Sequence, residues 1–486
     1  MHVIMVNKEV HMDDKQRIMQ IIEEEKDEFI EAADHIWETP ETRFAVKESV
    51  QQHYKVLEKE GFSIEKGVAH MDYSYIASWG SGKPVIGITA EYDALGGLSQ
   101  QADVPEPTPV VEGGNGQGCG HNILGAAALA AAVGVKTFME EKGLKGTIKL
   151  FGCPAEESGY GKAFMARDGI FDGLDAALTW HPMDFTQVWA NSSLAVIQAY
   201  YDFAGVPSHA SGAPELGRSA LDAAELMNVG VQFLREHIID PARVHYAFID
   251  AGGESANVVQ SHARLYYFVR APKLGQAKEI WDRVTRIAQG AAMMTDTKVT
   301  MEMDSACANY IPNHPLSIAM DKNLDIVGPL QLTDEEMDYE RKLAETVPDS
   351  GPRKLERIQA SFPDMPDDEA RQLADSPMLL KKLPLHFSDS AGISTDVGDV
   401  SWIAPTAQFN GGFEPQGTSP HSWQWVSNGK SSVAHKGLLM AGKTIALTAY
   451  DALTDPNLLA KAKADFDKTM GGSHYQSIIP DDVMPR

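Results

Sequence analysis

The segment Pro84-Val85-Ile86-Gly87-Ile88-Thr89-Ala90 is a continuous apolar run with the length of a single strand. Such runs are typical of parallel strands that are buried on both faces of a sheet. Similar runs occur at 147–153, 176–180 and 406–410, and an alanine-rich helical stretch at 123–140 lies between the runs at 84–90 and 147–153. Strands that alternate with helices predict an α/β fold with a mostly parallel sheet flanked by helices.

The middle of the chain has a different order of elements. Apolar patterns predict strands at 193–204, 244–250, 264–271 and 298–303, with helices at 218–237 and 277–291. The order β-α-β-β-α-β is typical of a ferredoxin-like α+β unit. Because α/β sequence resumes afterwards, we expect residues 192–305 to form a domain inserted into a larger one, made of 1–191 and 306–486.

Two other stretches lie outside these patterns. Residues 13–60 carry interspersed acids and lysines and are expected to be helical. Residues 345–382 are rich in Pro, Asp and Lys, and their weak periodicity predicts an exposed helical excursion or a mobile loop.

Composition limits the compartment and the partners. The 486-residue chain has a formal net charge of −26, which argues against nucleic acid and against an anionic membrane as partners. Its cysteines, Cys119, Cys153 and Cys307, are too few for a disulfide framework, and their odd number fits a reducing compartment. The N-terminus lacks the apolar core of a signal peptide, and no apolar run is expected to approach a membrane span. We therefore expect a soluble cytoplasmic protein.

Four short motifs carry side chains that bind transition metals. They are Cys119-Gly120-His121, Pro154-Ala155-Glu156-Glu157, Trp180-His181-Pro182 and Pro420-His421-Ser422. Each signal is weak alone, because a structural histidine or a surface pair of acids is more common than a metal ligand. Several of them, however, follow apolar strands, and sites in open α/β sheets assemble at that edge. Cys, Glu and His ligands with a spare carboxylate indicate a metallohydrolase.

Local geometry refines this hypothesis. Cys119 and His121 are expected to share one face of an extended segment, with Asn122 as the N-cap of the following helix. Pro154 is expected to end the preceding strand, so that Glu156 and Glu157 reach one site, where one binds metal and the other moves protons. The glycine-rich stretch at 113–118 has no Lys-Ser/Thr ending and is not a phosphate-binding loop.

Several longer motifs support a family assignment. They are Ala90-Glu91-Tyr92-Asp93-Ala94-Leu95, Cys119-Gly120-His121-Asn122, Pro154-Ala155-Glu156-Glu157 and Trp180-His181-Pro182, with further matches at 206–210, 217–223, 255–259 and 394–401. In combination the chain resembles the dimetal peptidases and amidohydrolases of the aminoacylase/carboxypeptidase group, over roughly residues 20–455. Within that group it is most similar to the p-aminobenzoyl-glutamate hydrolase B-subunit type.

The resemblance implies a set of roles in catalysis. Two divalent ions, manganese or zinc, would be bound by Cys119, His121, Glu157, His181 and His421. Glu156 would be the general base, while Asp93 and Asn122 would orient ligands. The choice of metal stays open, because thiolate and imidazole suit zinc whereas carboxylate-rich sites suit manganese.

The resemblance also implies that the inserted domain is a lid and a dimerisation surface. His209 would donate a hydrogen bond to the oxyanion and so complete the site of the neighbouring protomer, with Asn257 as a second candidate. Arg270 ends a predicted strand and is our candidate for binding a substrate carboxylate, since guanidinium binds carboxylate in a bidentate manner. A homodimer is expected, or a heteromer with a related A subunit.

The leading hypothesis is hydrolysis of an amide that joins an aryl or acyl group to an amino acid, with p-aminobenzoyl-glutamate as the favoured substrate. Four different functions stay open. They are a dipeptidase, an indole-acetyl-amino-acid hydrolase, an aryl deaminase on the same fold, and a non-catalytic partner subunit of a heteromeric hydrolase.

Overall fold

The computed structural model describes residues 2–348, 351–388 and 392–486. Within them the chain forms the strands β1 (Ser63–Lys66), β2 (Tyr75–Ser81), β3 (Val85–Ala90), β4 (Gly146–Gly152), β5 (Ala176–Met183), β6 (Gln187–Val188), β7 (Ala195–Ala204), β8 (Arg243–Asp250), β9 (His262–Ala271), β10 (Lys298–Cys307) and β11 (Thr406–Gly412). The α-helices of the same residues are α1 (His2–Glu24), α2 (Lys26–Glu38), α3 (Lys47–Lys59), α4 (His121–Lys142), α5 (Gly161–Arg167), α6 (Ala220–Arg235), α7 (Leu274–Thr295), α8 (His314–Val327), α9 (Asp334–Ala344), α10 (Gly351–Ser361), α11 (Asp367–Asp375), α12 (Val397–Ser401), α13 (Trp423–Asn428), α14 (Ser432–Thr454) and α15 (Pro456–Met470).

The larger sheet has the strand order β1-β2-β4-β3-β5-β11-β6. Its central strands β4, β3, β5 and β11 run parallel, whereas β1, β2 and β6 pair antiparallel at the two sides. The four apolar runs that predicted strands correspond to these central strands. Most of their residues are buried, which explains why the runs lack the alternation of a half-exposed strand. The predicted fold class, a mostly parallel sheet flanked by helices, is confirmed.

Helix α4 packs against this sheet and against the helices α2 and α14. A Cβ on Gly442 of α14 would lie 2.9 Å from Cβ of Ala130, so α4 and α14 approach closely. By length and hydropathy α4 could cross a membrane, so the expectation that no apolar run approaches that length is wrong. The core explains this composition, because 94% of the most apolar window of α4 is buried inside the protein.

The smaller sheet is antiparallel, with the strand order β10-β7-β9-β8. Helices α6 and α7 cover one face and share a core with Tyr201, Leu265 and Tyr267. The chain order β7-α6-β8-β9-α7-β10 is the β-α-β-β-α-β order that the sequence predicts. Strand β8 lies at an edge of this sheet and exposes Tyr246 and Phe248.

The excursion predicted at 345–382 contains the two helices α10 and α11, although residues 349 and 350 lie outside the described residues. Four of its apolar residues form a buried cluster with the adjacent Leu383; they are Ile358, Ala370, Ala374 and Leu379. Arg357 pairs with Asp184 at 3.1 Å, and the amide of Gln416 donates to the carbonyl of Ser376 at 2.8 Å. The excursion is therefore helical, and these contacts fix it beside the loop that follows β11.

Candidate metal centre

The predicted metal ligands converge at the carboxyl ends of the central strands. His181 lies on β5, Glu157 follows β4, and His421 follows β11. Cys119 and His121 reach the same edge, because α4 begins at His121. This is the edge at which open α/β sheets build their sites.

The backbone turns sharply between Cys119 and His121. Gly120 adopts φ 72°, and a Cβ at this position would lie 3.1 Å from the ring of Pro182. The prediction of an extended segment is therefore wrong: a left-handed glycine, rather than strand geometry, brings the thiol and the imidazole together. Left-handed backbone costs little for glycine because it has no Cβ.

Glu156 and Glu157 lie in a turn after β4, as the position of Pro154 predicts. Ala155 has φ 63°, and its carbonyl accepts hydrogen bonds from the backbone N–H groups of Gly159 and Tyr160 at 2.9 and 2.7 Å. Neighbouring residues of a strand point to opposite faces, so only this departure from strand geometry lets both carboxylates face one centre.

Cys119 lies at the middle of the predicted ligands. Its Sγ is 3.5 Å from Nε2 of His181, and the ligand atoms of Cys119, His121 and His181 all lie within 4.8 Å of one another. The same is true of Cys119, Glu157 and His421. Oε2 of Glu157 is 3.3 Å from Nε2 of His421. The structure thus brings together all five residues predicted as ligands, in two groups that share the thiol.

His121 is held by Asp93. Its Nδ1 donates to Oδ1 and to the backbone carbonyl of Asp93, both at 3.1 Å, while Oδ2 of Asp93 accepts from the backbone N–H of Glu157 at 3.1 Å. This arrangement turns Nε2 of His121 toward the carboxylates of Glu91 at 3.3 Å and Glu157 at 3.9 Å. Metal-binding histidines are commonly oriented in this way, through the ring nitrogen that does not bind the metal.

The donor atoms fit a metal centre. Nε2 of His121 and Oε1 of Glu157 are buried and lack a hydrogen-bond partner among the described residues, although buried polar atoms are normally paired. Sulfur, imidazole and carboxylate donors together suit zinc and related divalent ions.

Charge interactions within the cluster are strong. Burial opposes ionisation of Glu157, but its hydrogen bond with His421 and the charge of His121 outweigh burial and lower its pKa to about 2. Burial also opposes protonation of His121, yet Asp93 and Cys119 raise the pKa of its imidazole well above the usual value. Burial and the nearby Glu157 raise the pKa of the Cys119 thiol.

Glu156 belongs to neither of the two donor groups that contain Cys119. Its carboxylate oxygen lies within 4.8 Å of ligand atoms of His121 and Glu91, which form a third group of close donors. Burial raises its pKa well above the usual value, and the negative charges of Glu91, Asp396 and Glu157 raise it further. A carboxyl group with a raised pKa beside a metal centre is suited to proton transfer.

A buried ion network lies beneath this cluster, and sequence reasoning missed it. Nζ of Lys162 is 2.7 Å from Glu91 and 2.6 Å from Asp396, and the backbone N–H of Lys162 donates to Asp396 at 2.8 Å. Glu91 and Asp396 stand inside the family motifs at 90–95 and 394–401, so those motifs were the available signal. Nothing in the sequence marks Lys162, which is a single lysine in the short helix α5.

Three predicted residues lie outside the cluster. His209 and Asn257 are exposed neighbours on the inserted unit, where the backbone N–H of Ala210 bonds to the carbonyl of Asn257 at 2.9 Å. Among the described residues neither side chain contacts a predicted ligand. Arg270 donates to Oγ of Ser394 at 2.5 Å. Burial raises the pKa of the nearby Tyr160 well above its usual value, and the charge of Arg270 opposes that rise.

The roles predicted for Asn122 are wrong. The residue is the second of helix α4 rather than its N-cap, which is Gly120. Its side-chain amide donates to the carbonyls of Gly429 at 2.9 Å and Ala33 at 3.4 Å. It therefore ties α4 to α2 and to the segment before α14, and does not bond to a predicted ligand.

Comparison with known proteins agrees with this fold. The family model of peptidase family M20/M25/M40 matches residues 87–315. The chain belongs to this family and is a metal-dependent amide hydrolase.

Two relatives and one solved structure show which kinds of protein this chain is similar to. The B-subunit of the p-aminobenzoyl-glutamate hydrolase of Escherichia coli (strain K12) is 43% identical over 466 residues, which are 96% of this chain and 97% of that protein. The Xaa-Arg dipeptidase of Mus musculus is 26% identical over 389 residues, covering 78% of this chain and 73% of that protein. The crystal structure of the aminobenzoyl-glutamate utilization protein from Klebsiella pneumoniae has a TM-score of 0.56 at 15% identity, covering 88% of this chain and 97% of that one. This structural likeness shows the shared fold.

Proposed function

We propose that the chain hydrolyses the amide bond of p-aminobenzoyl-glutamate or of a similar N-aroyl or N-acyl amino acid. One observation carries the chemistry: four donor residues converge around Cys119, which is the fifth, and the buried carboxyl of Glu156 lies next to them. The similarity to a relative named for this substrate, over almost the whole of both chains, supports the choice of substrate.

Each of the two donor groups that share Cys119 would bind one divalent ion, manganese or zinc. Cys119, His121 and His181 would hold one ion, and Cys119, Glu157 and His421 the other. Such ions, when bound, polarise a carbonyl and acidify water.

Glu156 would act as the general base. It accepts a proton from the attacking water and delivers it to the leaving amide nitrogen. Burial and the nearby acids Glu91, Asp396 and Glu157 raise the pKa of Glu156 and favour the protonated carboxyl, whereas bound cations favour the carboxylate. The balance suits a group that must both take and give a proton.

The antiparallel unit would be the lid and dimerisation domain, at 192–305, with the catalytic domain at 1–191 and 306–486. Its outer face exposes Val229 and Phe233 of α6, and its edge strand β8 exposes Tyr246 and Phe248. Apolar side chains next to an unpaired strand edge are typical of an interface. Across a dimer, His209 and Asn257 would serve the site of the other protomer, where His209 would donate to the oxyanion. A heteromer with a related A subunit would use the same face.

Arg270 would bind the carboxylate of the substrate. It is half-buried, and among the described residues it forms no ion pair, so its charge is available to an anion.

The proposed function is tested by an assay of the manganese- or zinc-loaded protein with p-aminobenzoyl-glutamate and a panel of N-acyl amino acids. Turnover of at least one N-aroyl substrate is expected, and a protein that leaves the whole panel intact contradicts the proposal.

A dipeptidase is the second candidate, because a relative named Xaa-Arg dipeptidase aligns over most of the chain. A competition assay with mixed dipeptides and N-aroyl amino acids, read by mass spectrometry, ranks the two. Adding an indole-acetyl-amino-acid and an aryl amine to the mixture tests indole-acetyl-amino-acid hydrolysis and aryl deamination in the same assay. For a non-catalytic partner, activity would be gained only on adding a related chain.

We also propose that the protein acts in the cytoplasm. Its three cysteines are free and buried, as expected for a protein in a reducing compartment.

A further inference from the structure

Two fully buried glutamates lie away from the metal centre. Glu340 is on helix α9, and Glu414 opens the loop that runs from β11 to His421. Neither side chain is exposed, and both oxygens of Glu414 and Oε1 of Glu340 lack a hydrogen-bond partner among the described residues. Buried carboxylates without partners are costly, so three such oxygens require an explanation.

Asn428 connects the carboxylate of Glu340 to the backbone next to Glu414. Its Nδ2 donates to the carbonyl of Phe413, the residue before Glu414, at 2.8 Å and lies 3.4 Å from Oε2 of Glu340. Its Oδ1 accepts from Oγ of Ser431 at 2.6 Å, so the amide orientation is fixed. Burial raises the pKa of Glu414, and the charge of Glu340 raises it further, as expected for neighbouring acids.

No cationic side chain balances this pair. In the described part of the chain, neither Glu340 nor Glu414 forms an ion pair with lysine, arginine or histidine, in contrast to the buried Glu91, which has Lys162. Two carboxylates match the charge of one divalent ion, and oxygen donors without sulfur or imidazole suit the hard cations calcium and magnesium.

We propose that Glu340 and Glu414 bind one hard divalent cation of the calcium or magnesium class, separate from the catalytic ions. The ion would fix the loop that carries His421 to helix α9. The middle of this loop is already held, because the backbone N–H of Gly417 donates to Asp184 at 2.7 Å.

Calcium binding to the zinc-loaded protein tests this proposal. Isothermal titration and thermal melting are carried out with wild type, with Glu340→Gln/Glu414→Gln, and with the control Glu335→Gln/Glu345→Gln, which removes two exposed charges from the same helix and its end. We expect about one calcium equivalent per chain and a rise in Tm for wild type and control, and neither for the buried double variant. A wild type that binds neither calcium nor magnesium, or a buried double variant that keeps the binding, overturns the proposal.

The single variant Glu414→Gln gives a second test, which can be carried out even if the double variant does not fold. In calcium- and magnesium-free buffer it should melt above wild type, because the neutral amide lacks the ionisable carboxyl whose burial without a counter-ion costs free energy. In saturating calcium it should melt below wild type, since only wild type gains from binding. If Glu414→Gln melts above wild type at every calcium and magnesium concentration, the two acids share a proton and bind no cation.

Discussion

Lys162 provides the sharpest quantitative prediction. Its ammonium is fully buried and lies 2.7 Å from Glu91 and 2.6 Å from Asp396. In Lys162→Met both carboxylates lose their buried counter-ion, and breaking a buried pair in this way costs about 3–5 kcal/mol. We expect the free energy of unfolding to fall by that amount, whereas Lys55→Met, which removes an exposed pair with Glu31, should change it far less, because solvent screens an exposed pair.

Urea unfolding of metal-free protein measures this difference, because bound ions would add their own stabilisation. The triple variant Lys162→Met/Glu91→Gln/Asp396→Asn removes the uncompensated charges and should recover most of the loss. If Lys162→Met costs no more than Lys55→Met, or the triple variant is less stable than the single one, the description of Lys162 as the counter-ion of both acids is wrong.

Three further predictions concern the base, the turn and the core. Glu156→Gln should keep its metal content and lose turnover by about 10²–10⁴; unchanged turnover excludes Glu156 as the base. Gly120→Ala should cost about 1–2 kcal/mol and weaken metal binding, because φ is 72° and Pro182 stands 3.1 Å from the added Cβ; wild-type affinity in a metal titration would contradict this. Burial lowers the pKa of His53 to about 3 from 6.5. As the pH falls from 7 to 3, the imidazole of His53 therefore binds a proton in the unfolded chain before it does so in the folded protein. The unfolding free energy should therefore fall by roughly 4 kcal/mol between pH 7 and pH 3 through this residue, and His53→Gln should remove that part of the pH dependence.

The central strands could be predicted from the sequence for a physical reason. Strands buried on both faces need apolar residues at every position, so β3, β4, β5 and β11 appear as uninterrupted apolar runs. The order of the inserted unit was also predictable, because its helices and strands have distinct apolar periods. One property was overlooked, because the core helix α4 has the length and hydropathy of a membrane span.

The ligands could be predicted because each belongs to a short motif, but their geometry could not. The left-handed turn at Gly120 depends on its packing against Pro182, a contact across many residues of chain. The pairing of Lys162 with Asp396 joins positions 234 residues apart, and no local pattern reports such a contact. Asn122 looked like a helix cap because the sequence does not show that the helix begins at His121 rather than near Ile123.

The most direct test of the account is the metal content of purified protein loaded with zinc or manganese, with Cys119→Ala and the control Cys153→Ala measured in parallel. Cys119 belongs to both donor groups, whereas Cys153 is buried and belongs to neither. Catalytic ions are counted in buffer free of calcium and magnesium. We predict two ions per chain for wild type and Cys153→Ala, and loss of both for Cys119→Ala. Retention of two ions by Cys119→Ala, or their absence from wild type, would contradict a centre built around this thiol.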